Sequence, residues 1–265
     1  MNVAIIGSNG FIGSNLARYL SNFNIFSLNR SNIDLLDFYA VQYFLITKKI
    51  DVVINAAAAM TDEKLINDAR NNIGIFLNFY LNRIYFKKFI NLASASEYDR
   101  RNNIFNFSEE KIFEYLPNDS YGFGQNINSK LSCDTENFYN LRIFNCFGKN
   151  ELPTRIFPRI INQDIITISN DRYFDYFFIK DLCKVVEYYI TNNPPYKDIN
   201  VVYMDKFLIS EVVYLFCKIH NLEKTIIIDS KSNLNYTGCG SKLKSLNLHL
   251  FGLYEGLKIY FDFNS

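Results

Sequence analysis

The sequence predicts an α/β protein: a doubly wound parallel sheet with a smaller C-terminal α/β lobe. Short apolar runs alternate with longer helical patterns over the first 150 residues, a glycine-rich turn follows the first run, and this order weakens after Gly148. Strands separated by helices predict right-handed crossovers and a parallel sheet covered on both faces. We therefore expect one domain over residues 1–150 and a smaller lobe over residues 151–265, from which some segments return to the first sheet.

The individual strands follow from apolar runs of four to six residues, and the first helix follows from helical spacing. Predicted strands cover residues 3–6, 24–28, 51–55, 89–93 and 140–145, and the first helix covers residues 11–20. In the second half, prolines separate shorter elements, and an aromatic run at residues 173–178 predicts a further strand.

A predicted helix over residues 72–86 is apolar nearly all round. Its apolar residues are Ile73, Ile75, Phe76, Leu77, Phe79, Tyr80, Leu81, Ile84, Tyr85 and Phe86. A helix of this kind is buried on more than one side. Two interpretations stay open: the helix is enclosed within the monomer, or one face packs on its own sheet and the other on a second subunit. The second predicts a homodimer.

Composition excludes several classes of protein. The chain has 265 residues, with 28 basic side chains against 27 acidic ones, and this near-neutral balance gives no electrostatic footprint for nucleic acid. Apolar residues make up 49% and charged residues 21%, which indicates a globular chain rather than a disordered one. No apolar run approaches the roughly 18 residues that a membrane helix needs. The N-terminus also lacks the pattern of a signal peptide.

The few, scattered cysteines and histidines argue against disulfides, metal sites and a hydrolytic triad. The five cysteines are widely spaced without a CxxC pair, which argues against a disulfide framework or a zinc site and favours a reducing cytoplasm. The only histidines are His220 and His249, so metal chemistry and a hydrolytic triad are both poorly supported. We expect no metal.

The glycine-rich turn is the first sign of function. It runs Gly7-Ser8-Asn9-Gly10-Phe11-Ile12-Gly13, directly between the first strand and the first helix. Such a turn lets backbone N–H groups approach a pyrophosphate, and the helix N-terminus adds partial positive charge. The strand–turn–helix context predicts a Rossmann-type dinucleotide site, even though the spacing is GxxGxxG. Its predicted contacts are Gly7, Asn9, Gly10, Phe11, Ile12 and Gly13.

The end of the second strand predicts which dinucleotide binds. A carboxylate there would hold a ribose 2′-hydroxyl, but the chain has Asn29-Arg30-Ser31. Because Arg30 can pair with a 2′-phosphate, we expect NADP(H) to be preferred. NAD(H) stays possible if Arg30 only faces solvent. Asp34 and Leu35 follow closely and are expected to frame the adenine.

At this point the chain resembles a family, the extended short-chain dehydrogenase/reductases of the NAD-dependent epimerase/dehydratase type that act on nucleotide sugars. The resemblance covers nearly the whole chain. Besides the glycines, it is carried by Asn55-Ala56-Ala57, Asn72-Ile73-Gly74, residues 92–98, Ser120-Tyr121-Gly122, residues 141–148, residues 174–182 and the tail around residues 236–243. The region from Arg30 to Asp37 and the tail look most like the GDP-L-fucose synthase-like 4-keto-sugar reductases, which use NADPH.

The resemblance implies a mechanism and its residues. A tyrosine exchanges a proton with the sugar oxygen while hydride moves to or from nicotinamide, and a serine or threonine hydrogen-bonds that oxygen. Tyr121 matches the tyrosine and Ser94, 27 residues earlier, matches the serine. Ala56, Ala57 and Asn72 match cofactor contacts. The implied substrate is a nucleotide sugar, with a GDP-sugar favoured, and the implied pathway is capsule or lipopolysaccharide synthesis.

One catalytic position departs from the family. The family lysine binds the nicotinamide ribose and lowers the pKa of the tyrosine, but Gln125 stands there. Loss of that charge costs the tyrosinate about 1–3 kcal/mol in a partly buried site. Lys130 is two and a half turns away on roughly the opposite face, and Arg100 or Arg101 is a possible substitute. Three interpretations follow: a slower reductase, a different proton donor, or a protein that binds without catalysis.

Further departures narrow the expected reaction. Family dehydratases carry Asp-Glu after the catalytic hydroxyl, whereas Ala95-Ser96 follows Ser94, so dehydration is not expected. Fucose synthase has a cysteine acid/base at the position of Ser96, and a serine shuttles protons poorly, so we expect no C3/C5 epimerisation.

Substrate contacts are expected at four positions: Ser96, Asn145, Arg159 and Arg172. Phe174 replaces the family arginine that binds the diphosphate, and Arg172 lies two residues earlier, on the same face of a strand. Arg159 is the second candidate for that role. Cys239 stands where relatives carry Asp or Asn, and we have no account of it.

The sequence therefore predicts an NADPH-dependent reductase of a nucleotide-linked 4-keto sugar. Within enzymes, the rival is a C4 epimerase with tightly held NAD, against which Asn29-Arg30 argues. Outside enzymes, the rival is a catalytically degenerate binding protein, for which Gln125 argues.

Overall fold

A computed structural model describes residues 1–29, 31–57, 65–229 and 234–261 of the chain. The strands of these residues are β1 (Asn2–Ile6), β2 (Asn24–Leu28), β3 (Val52–Asn55), β4 (Lys88–Asn91), β5 (Ile104–Phe107), β6 (Phe138–Ile143), β7 (Cys146–Phe147), β8 (Ile165–Ile168), β9 (Phe177–Phe178), β10 (Asp198–Val201), β11 (Thr225–Ile228) and β12 (Tyr236–Gly238). The α-helices are α1 (Phe11–Tyr19), α2 (Phe38–Thr47), α3 (Leu65–Leu81), α4 (Ser120–Cys133), α5 (Ile156–Asn162), α6 (Ile179–Thr191), α7 (Ile209–Ile219), α8 (Ser241–Ser245) and α9 (Gly252–Lys258). Short 3₁₀ helices lie at Arg83–Tyr85, Ala95–Glu97 and Glu109–Phe113.

The chain divides into two compact units. The described residues of unit 1 fall within 1–99, 110–142 and 185–199, and those of unit 2 fall within 100–109, 143–184 and 200 onward. Unit 1 contains the glycine-rich turn, Ser94, Tyr121 and Gln125, whereas Asn145, Arg159 and Arg172 belong to unit 2.

Unit 1 is built on a six-stranded sheet in the order β10-β6-β4-β3-β1-β2. The pairs β1–β2, β1–β3, β3–β4 and β4–β6 are parallel, so the predicted α/β fold with a parallel sheet is confirmed. Two predicted strands are shifted, because residues 89–93 and 140–145 become β4 (Lys88–Asn91) and β6 (Phe138–Ile143). The edge strand β10 was not predicted as an element.

Helix α3 packs aromatic side chains against this sheet. The ring of Phe76 lies 5.5 Å from that of Phe89, which stacks on Phe138 at 4.6 Å. The helix ends at Leu81, so the prediction of a continuous helix to residue 86 is wrong. The side-chain amide of Asn82 donates to the carbonyl of Asn78 at 2.9 Å, and such local hydrogen bonds compete with the helical ladder.

Unit 2 contains three short parallel strand pairs, β5–β12, β8–β11 and β7–β9. Its core is largely aromatic: the ring of Phe157 lies 5.1 Å from Phe147 and 4.9 Å from Phe216, which lies 5.3 Å from Tyr260. The predicted strand at residues 173–178 is reduced to β9, preceded by isolated bridges at Tyr173 and Phe174. No helix in the described part of either unit has both the length and the apolarity needed to cross a bilayer.

Candidate functional site

The glycine-rich turn connects β1 to α1 in a conformation that requires glycine. Gly7 has a φ of +77°, and a Cβ atom there would lie 2.9 Å from the carbonyl oxygen of Ala56. A Cβ atom on Gly13 would lie 2.2 Å from the oxygen of Gly7, so glycine allows α1 to pack closely on the turn. Gly10 caps α1 without a side-chain hydrogen bond, which leaves the first N–H groups of the helix available to an anion.

A cavity of about 440 Å³ opens in front of this turn. It is lined by seven residues that the sequence predicted, Gly7, Asn9, Gly10, Leu35, Ala56, Ala57 and Asn72, and by Asn29, Ser31, Asn71 and Ile75. The glycine turn, the helix N-terminus without a side-chain cap and the amide-rich wall fit a dinucleotide. Three of the lining residues that were not predicted are polar neighbours of predicted ones: Asn29 and Ser31 flank Arg30, and Asn71 precedes Asn72. The fourth, Ile75, lies one helical turn after Asn71.

Four predicted cofactor residues lie elsewhere. Phe11, Ile12 and Gly13 form the first turn of α1 and do not line the cavity. Asp34 lines a second cavity of about 560 Å³ along β2 and α2, and its carboxylate accepts a hydrogen bond from the backbone of Leu36. Arg30 lies outside the described residues.

The serine turn, residues 94–97, is separated from the end of β4 by two residues. Ser94 caps the 3₁₀ helix Ala95–Glu97, and its Oγ accepts hydrogen bonds from the backbone N–H of Ser96 (3.2 Å) and from Ser96 Oγ (2.9 Å). Ser96 is buried, at 4% exposure. Its side chain therefore contacts the Ser94 hydroxyl within the turn.

Helix α4 brings Tyr121 to this serine turn. Asp119 caps the helix by accepting from the backbone N–H of Gly122 at 2.8 Å, and Tyr121 is half-buried in the first turn. A Cβ atom on Gly122 would lie 2.3 Å from the carbonyl oxygen of Ser96. The start of α4 therefore lies against the serine turn, and Ser94 and Tyr121 belong to adjoining segments.

The position of the missing lysine is buried in the same helix. Gln125 is 3% exposed. Lys130 is on the surface, with its ammonium 5.9 Å from the centre of the Phe113 ring.

Sequence reasoning missed a group of buried charges beneath the serine turn. The backbone N–H of Ser94 donates to Glu97 Oε1 at 3.1 Å, and Arg142 Nε donates to Glu97 Oε2 at 3.1 Å. Arg142 also pairs with Asp198 through two hydrogen bonds of 2.9 and 3.3 Å. The sequence did contain one signal of this group. Arg142 stands inside a strand that was predicted to be buried, and a buried charge requires a partner.

The predicted substrate residues of unit 2 have varied surroundings. Asn145 is buried, and its backbone carbonyl accepts from the N–H of Phe177. Arg159 lies on α5, and its Nε donates to Gln163 Oε1 at 3.5 Å. The prediction that Arg172 and Phe174 share a strand face is wrong, because no regular strand forms there; the guanidinium instead lies 5.3 Å from the Phe174 ring centre.

Arg172 keeps some hydrogen-bonding capacity in this position. Its Nη1 donates to the carbonyl of Leu234 at 3.2 Å, while its buried Nε has no partner among the described residues. Cys239 Sγ lies 3.2 Å from Ser241 Oγ. Across the described residues, no group of three or more His, Cys, Asp or Glu side chains is arranged to hold a metal ion.

Comparison with solved structures supports the fold. The chain is similar to a GDP-mannoheptose C4 reductase from Campylobacter jejuni with NADP bound (TM-score 0.80, 20% identity, covering 98% of this chain and 97% of that one). It is similar to a GDP-L-fucose synthetase from Naegleria fowleri bound to NADP (TM-score 0.84, 15% identity, 98% and 91% covered). It also resembles a dTDP-4-dehydrorhamnose reductase from Clostridium acetobutylicum (TM-score 0.81, 17% identity, 99% of both chains covered).

Sequence comparison shows the family. Among curated proteins, no sequence matches the chain significantly. A family model, in contrast, matches residues 3–201, a range that includes the glycine-rich turn, the serine turn and the tyrosine helix. The chain therefore belongs to the NAD-dependent epimerase/dehydratase family.

Proposed function

We propose that the chain is an NADPH-dependent reductase of a nucleotide-linked 4-keto sugar. The observation that carries this proposal is the close approach of α4 to the serine turn, where Gly122 leaves no room for a Cβ atom against Ser96. It puts a tyrosine and a serine hydroxyl on adjoining segments, which is what protonation and hydrogen bonding of one carbonyl oxygen require.

In this proposal each residue of unit 1 has a defined task. The bound dihydronicotinamide supplies the hydride. Tyr121 donates its phenolic proton to the C4 oxygen, and Ser94 donates a hydrogen bond to the same oxygen. Because two groups of Ser96 already donate to Ser94 Oγ, the proton of Ser94 is left for a third partner. Gln125 contributes amide hydrogen bonds to the nicotinamide ribose without the charge of a lysine.

NADPH is the proposed cofactor. The described residues that line the cavity include no carboxylate that could hold a ribose 2′-hydroxyl, and Arg30 stands between two of them, Asn29 and Ser31. The similar C. jejuni and N. fowleri structures have NADP bound. Replacing Arg30 by Ala should raise the KM for NADPH about 10-fold or more, since a charge-assisted pair is lost, and leave the KM for NADH nearly unchanged. Equal changes for both would contradict this assignment.

The proposed substrate is a nucleotide sugar, with a GDP-sugar favoured. Arg172 is half-buried, and its Nε has no partner among the residues that the structure describes, so it is the first candidate for the diphosphate. Arg159 is the second candidate. Asn145 and Ser96 are the remaining proposed substrate contacts. We further propose a cytoplasmic homodimer that serves capsule or lipopolysaccharide synthesis.

A spectrophotometric assay tests the function directly. Purified protein is mixed with NADPH and a GDP-4-keto-6-deoxyhexose, and the absorbance of the reduced nicotinamide is followed. We expect oxidation that Tyr121→Phe reduces by about 100-fold or more, as loss of a general acid does. Tyr115→Phe, at an exposed tyrosine, is the matched control and should retain activity. Full activity of Tyr121→Phe would assign the proton donor elsewhere.

A second function is favoured by one observation, the buried Gln125. In a catalytically degenerate binding protein, NADPH or the nucleotide sugar binds but no oxidation follows. Calorimetric binding with no turnover would support this function. The C4 epimerase is distinguished by NAD that stays with the protein during purification and by interconversion of sugars without net oxidation of added NADPH.

A further inference from the structure

The buried charges beneath the serine turn form a continuous chain of contacts. The side chains of Glu97 and Arg142 are fully enclosed, since both are 0% exposed. Glu97 Oε1 accepts a hydrogen bond from the Ser94 N–H, and Oε2 accepts one from Arg142 Nε. Arg142 stands on β6 and Asp198 on β10, so the charges connect the serine turn to two strands of the sheet.

Two sets of contacts therefore fix Ser94. Its backbone N–H is bound by Glu97, and its Oγ accepts from both donors of Ser96. The side-chain amide of Asn126, on α4, donates to the carbonyl of Glu97 at 3.3 Å, which connects the same turn to the helix of Tyr121. A shift of the Glu97 carboxylate must consequently move the Ser94 backbone.

The groups around Glu97 have opposing effects on its ionisation. Arg142 faces it from β6 and favours its ionised form, while Asp198 faces it from β10 and opposes ionisation. Helix α4 presents Ser129 and the Cys133 thiol, and Tyr98 follows Glu97 in its own turn beneath the Arg142 guanidinium, 5.3 Å from it. Burial is the largest effect, and together these surroundings raise the pKa of Glu97 to about 7.

We propose that Glu97 is a positioning residue for Ser94: its carboxylate, held by Arg142, fixes the serine turn so that the Ser94 hydroxyl points its proton at the sugar oxygen, and protonation of Glu97 releases this arrangement. The proposal rests on the reductase function proposed above. It assigns to Arg142 the role of holding the Glu97 carboxylate, and to Asp198 the role of holding the Arg142 guanidinium.

Protonation matters because both oxygens of Glu97 are already acceptors. A proton on either oxygen removes the negative charge and turns that oxygen into a hydroxyl, which is a poorer acceptor than a carboxylate oxygen. The hydrogen bond from the Ser94 N–H or from the Arg142 guanidinium is therefore weakened. Glu97→Gln reproduces this situation at every pH, because its amide offers one acceptor oxygen and one NH₂ group. The variant is thus a permanent version of the protonated enzyme.

Kinetics test whether Glu97 acts through Ser94. We expect Glu97→Gln to lower kcat by about 10-fold at about pH 8, to leave the KM for NADPH within about twofold, and to remove the loss of kcat that the wild type shows below about pH 7. In a Ser94→Ala background, Glu97→Gln should have little further effect, as expected for coupled residues. Glu114→Gln, at an exposed glutamate, should behave as the wild type. Equal effects of Glu97→Gln in both backgrounds would overturn the proposal.

Nuclear magnetic resonance tests the same coupling without turnover. In the wild type, the carboxyl carbon of Glu97 and the amide proton of Ser94 should titrate with one common midpoint near neutral pH. A Ser94 amide proton that does not follow Glu97 would overturn the proposal, and this measurement decides even if Glu97→Gln fails to fold. Absence of NADPH oxidation by the wild type would defeat the proposed reductase function alone, since the titration does not depend on it.

Discussion

The side-chain amide of Asn55 donates a hydrogen bond of 3.0 Å to the side-chain oxygen of Asn91, across the carboxyl ends of β3 and β4. Asn91 in turn donates to Asn140 on β6 at 3.1 Å, and Asn140 donates to the carbonyl of Ser129 on α4 at 3.2 Å. All three asparagines are buried. This amide ladder connects the segment after β3, which lines the cavity of about 440 Å³, with the helix that carries Tyr121.

Replacing Asn91 by Ala should therefore destabilise the protein strongly. The change leaves the Asn55 amide and the Asn140 side-chain oxygen without their partners in a buried place, and each orphaned group costs about 1–3 kcal/mol. We expect a loss of about 2–6 kcal/mol in the free energy of unfolding, measured by urea denaturation. Asn137→Ala, at an exposed asparagine, should change it by less than about 0.5 kcal/mol. Similar losses in both variants would show that the hydrogen bonds of the ladder do not stabilise the protein more than a surface asparagine does.

The ladder also shows where sequence reasoning stops. The glycine-rich turn is a local pattern, and it predicted Gly7, Asn9 and Gly10 among the residues that line the cavity of about 440 Å³. Ser94 and Tyr121 were predicted from the family resemblance. The partners in the ladder lie 36 and 49 residues apart, and Glu97 lies 45 residues from Arg142. Strand register brings these pairs together, and the sequence does not state that register. The end of α3 was missed for another reason, because Asn82 interrupts a helix whose apolar pattern continues.

Two glycines in α4 offer a matched pair of variants. In Gly122→Ala the new methyl group would lie 2.3 Å from the Ser96 oxygen, whereas in Gly124→Ala it would lie 3.5 Å from Ile73, an ordinary contact. We expect Gly122→Ala to separate the tyrosine helix from the serine turn and to lower kcat by about 100-fold. Gly124→Ala should keep its activity and gain about 0.5–1 kcal/mol of stability from helix propensity. An active Gly122→Ala enzyme would mean that the close approach is dispensable.

Gln125→Lys tests the consequence of the missing charge. An ammonium group at this buried position should stabilise the tyrosinate form of Tyr121 by about 1–3 kcal/mol. The alkaline limb of the kcat profile should then move down by about 1–2 pH units. Gln125→Met, similar in length but without charge, should not shift the profile. A Gln125→Lys profile that matches that of the wild type would show that Tyr121 does not sense this position.

The pair of Glu151 and Tyr260 predicts a pH dependence of stability in unit 2. Tyr260 donates to Glu151 Oε1 at 2.8 Å, and burial raises the pKa of Glu151 from 4.5 to about 7. Because the folded state binds the proton more tightly, the stability that Glu151 contributes below about pH 4.5 is lost as the pH rises to about 7. That loss amounts to about 2–4 kcal/mol.

Glu151→Gln should remove this dependence while keeping an acceptor for Tyr260. Urea denaturation at about pH 5 and pH 8 should show the variant gaining about 2–3 kcal/mol relative to the wild type at the higher pH. Other buried carboxylates cancel in that comparison, because both proteins contain them. Glu223→Gln, at an exposed glutamate, serves as the control. A constant difference between Glu151→Gln and the wild type would contradict the prediction.

The exposed end of α3 predicts a homodimer. Leu77 and Leu81 lie four residues apart on one face of α3, and Ile84 follows in the 3₁₀ helix. Leu81 and Ile84 are 56% and 78% exposed, so the interpretation in which the monomer encloses this helix on all sides does not account for them. A second copy covering this face would bury them, as apolar interface cores require.

Leu81→Asp should therefore dissociate the dimer without unfolding the monomer, because Leu81 has few contacts to lose within its own chain. Light scattering after gel filtration should give twice the chain mass for the wild type and a single chain mass for the variant. Ile46→Asp is the matched control, since Ile46 is 50% exposed on α2 and should leave the dimer intact. A wild type that stays monomeric at all concentrations, or a Leu81→Asp dimer, would exclude this face as the interface.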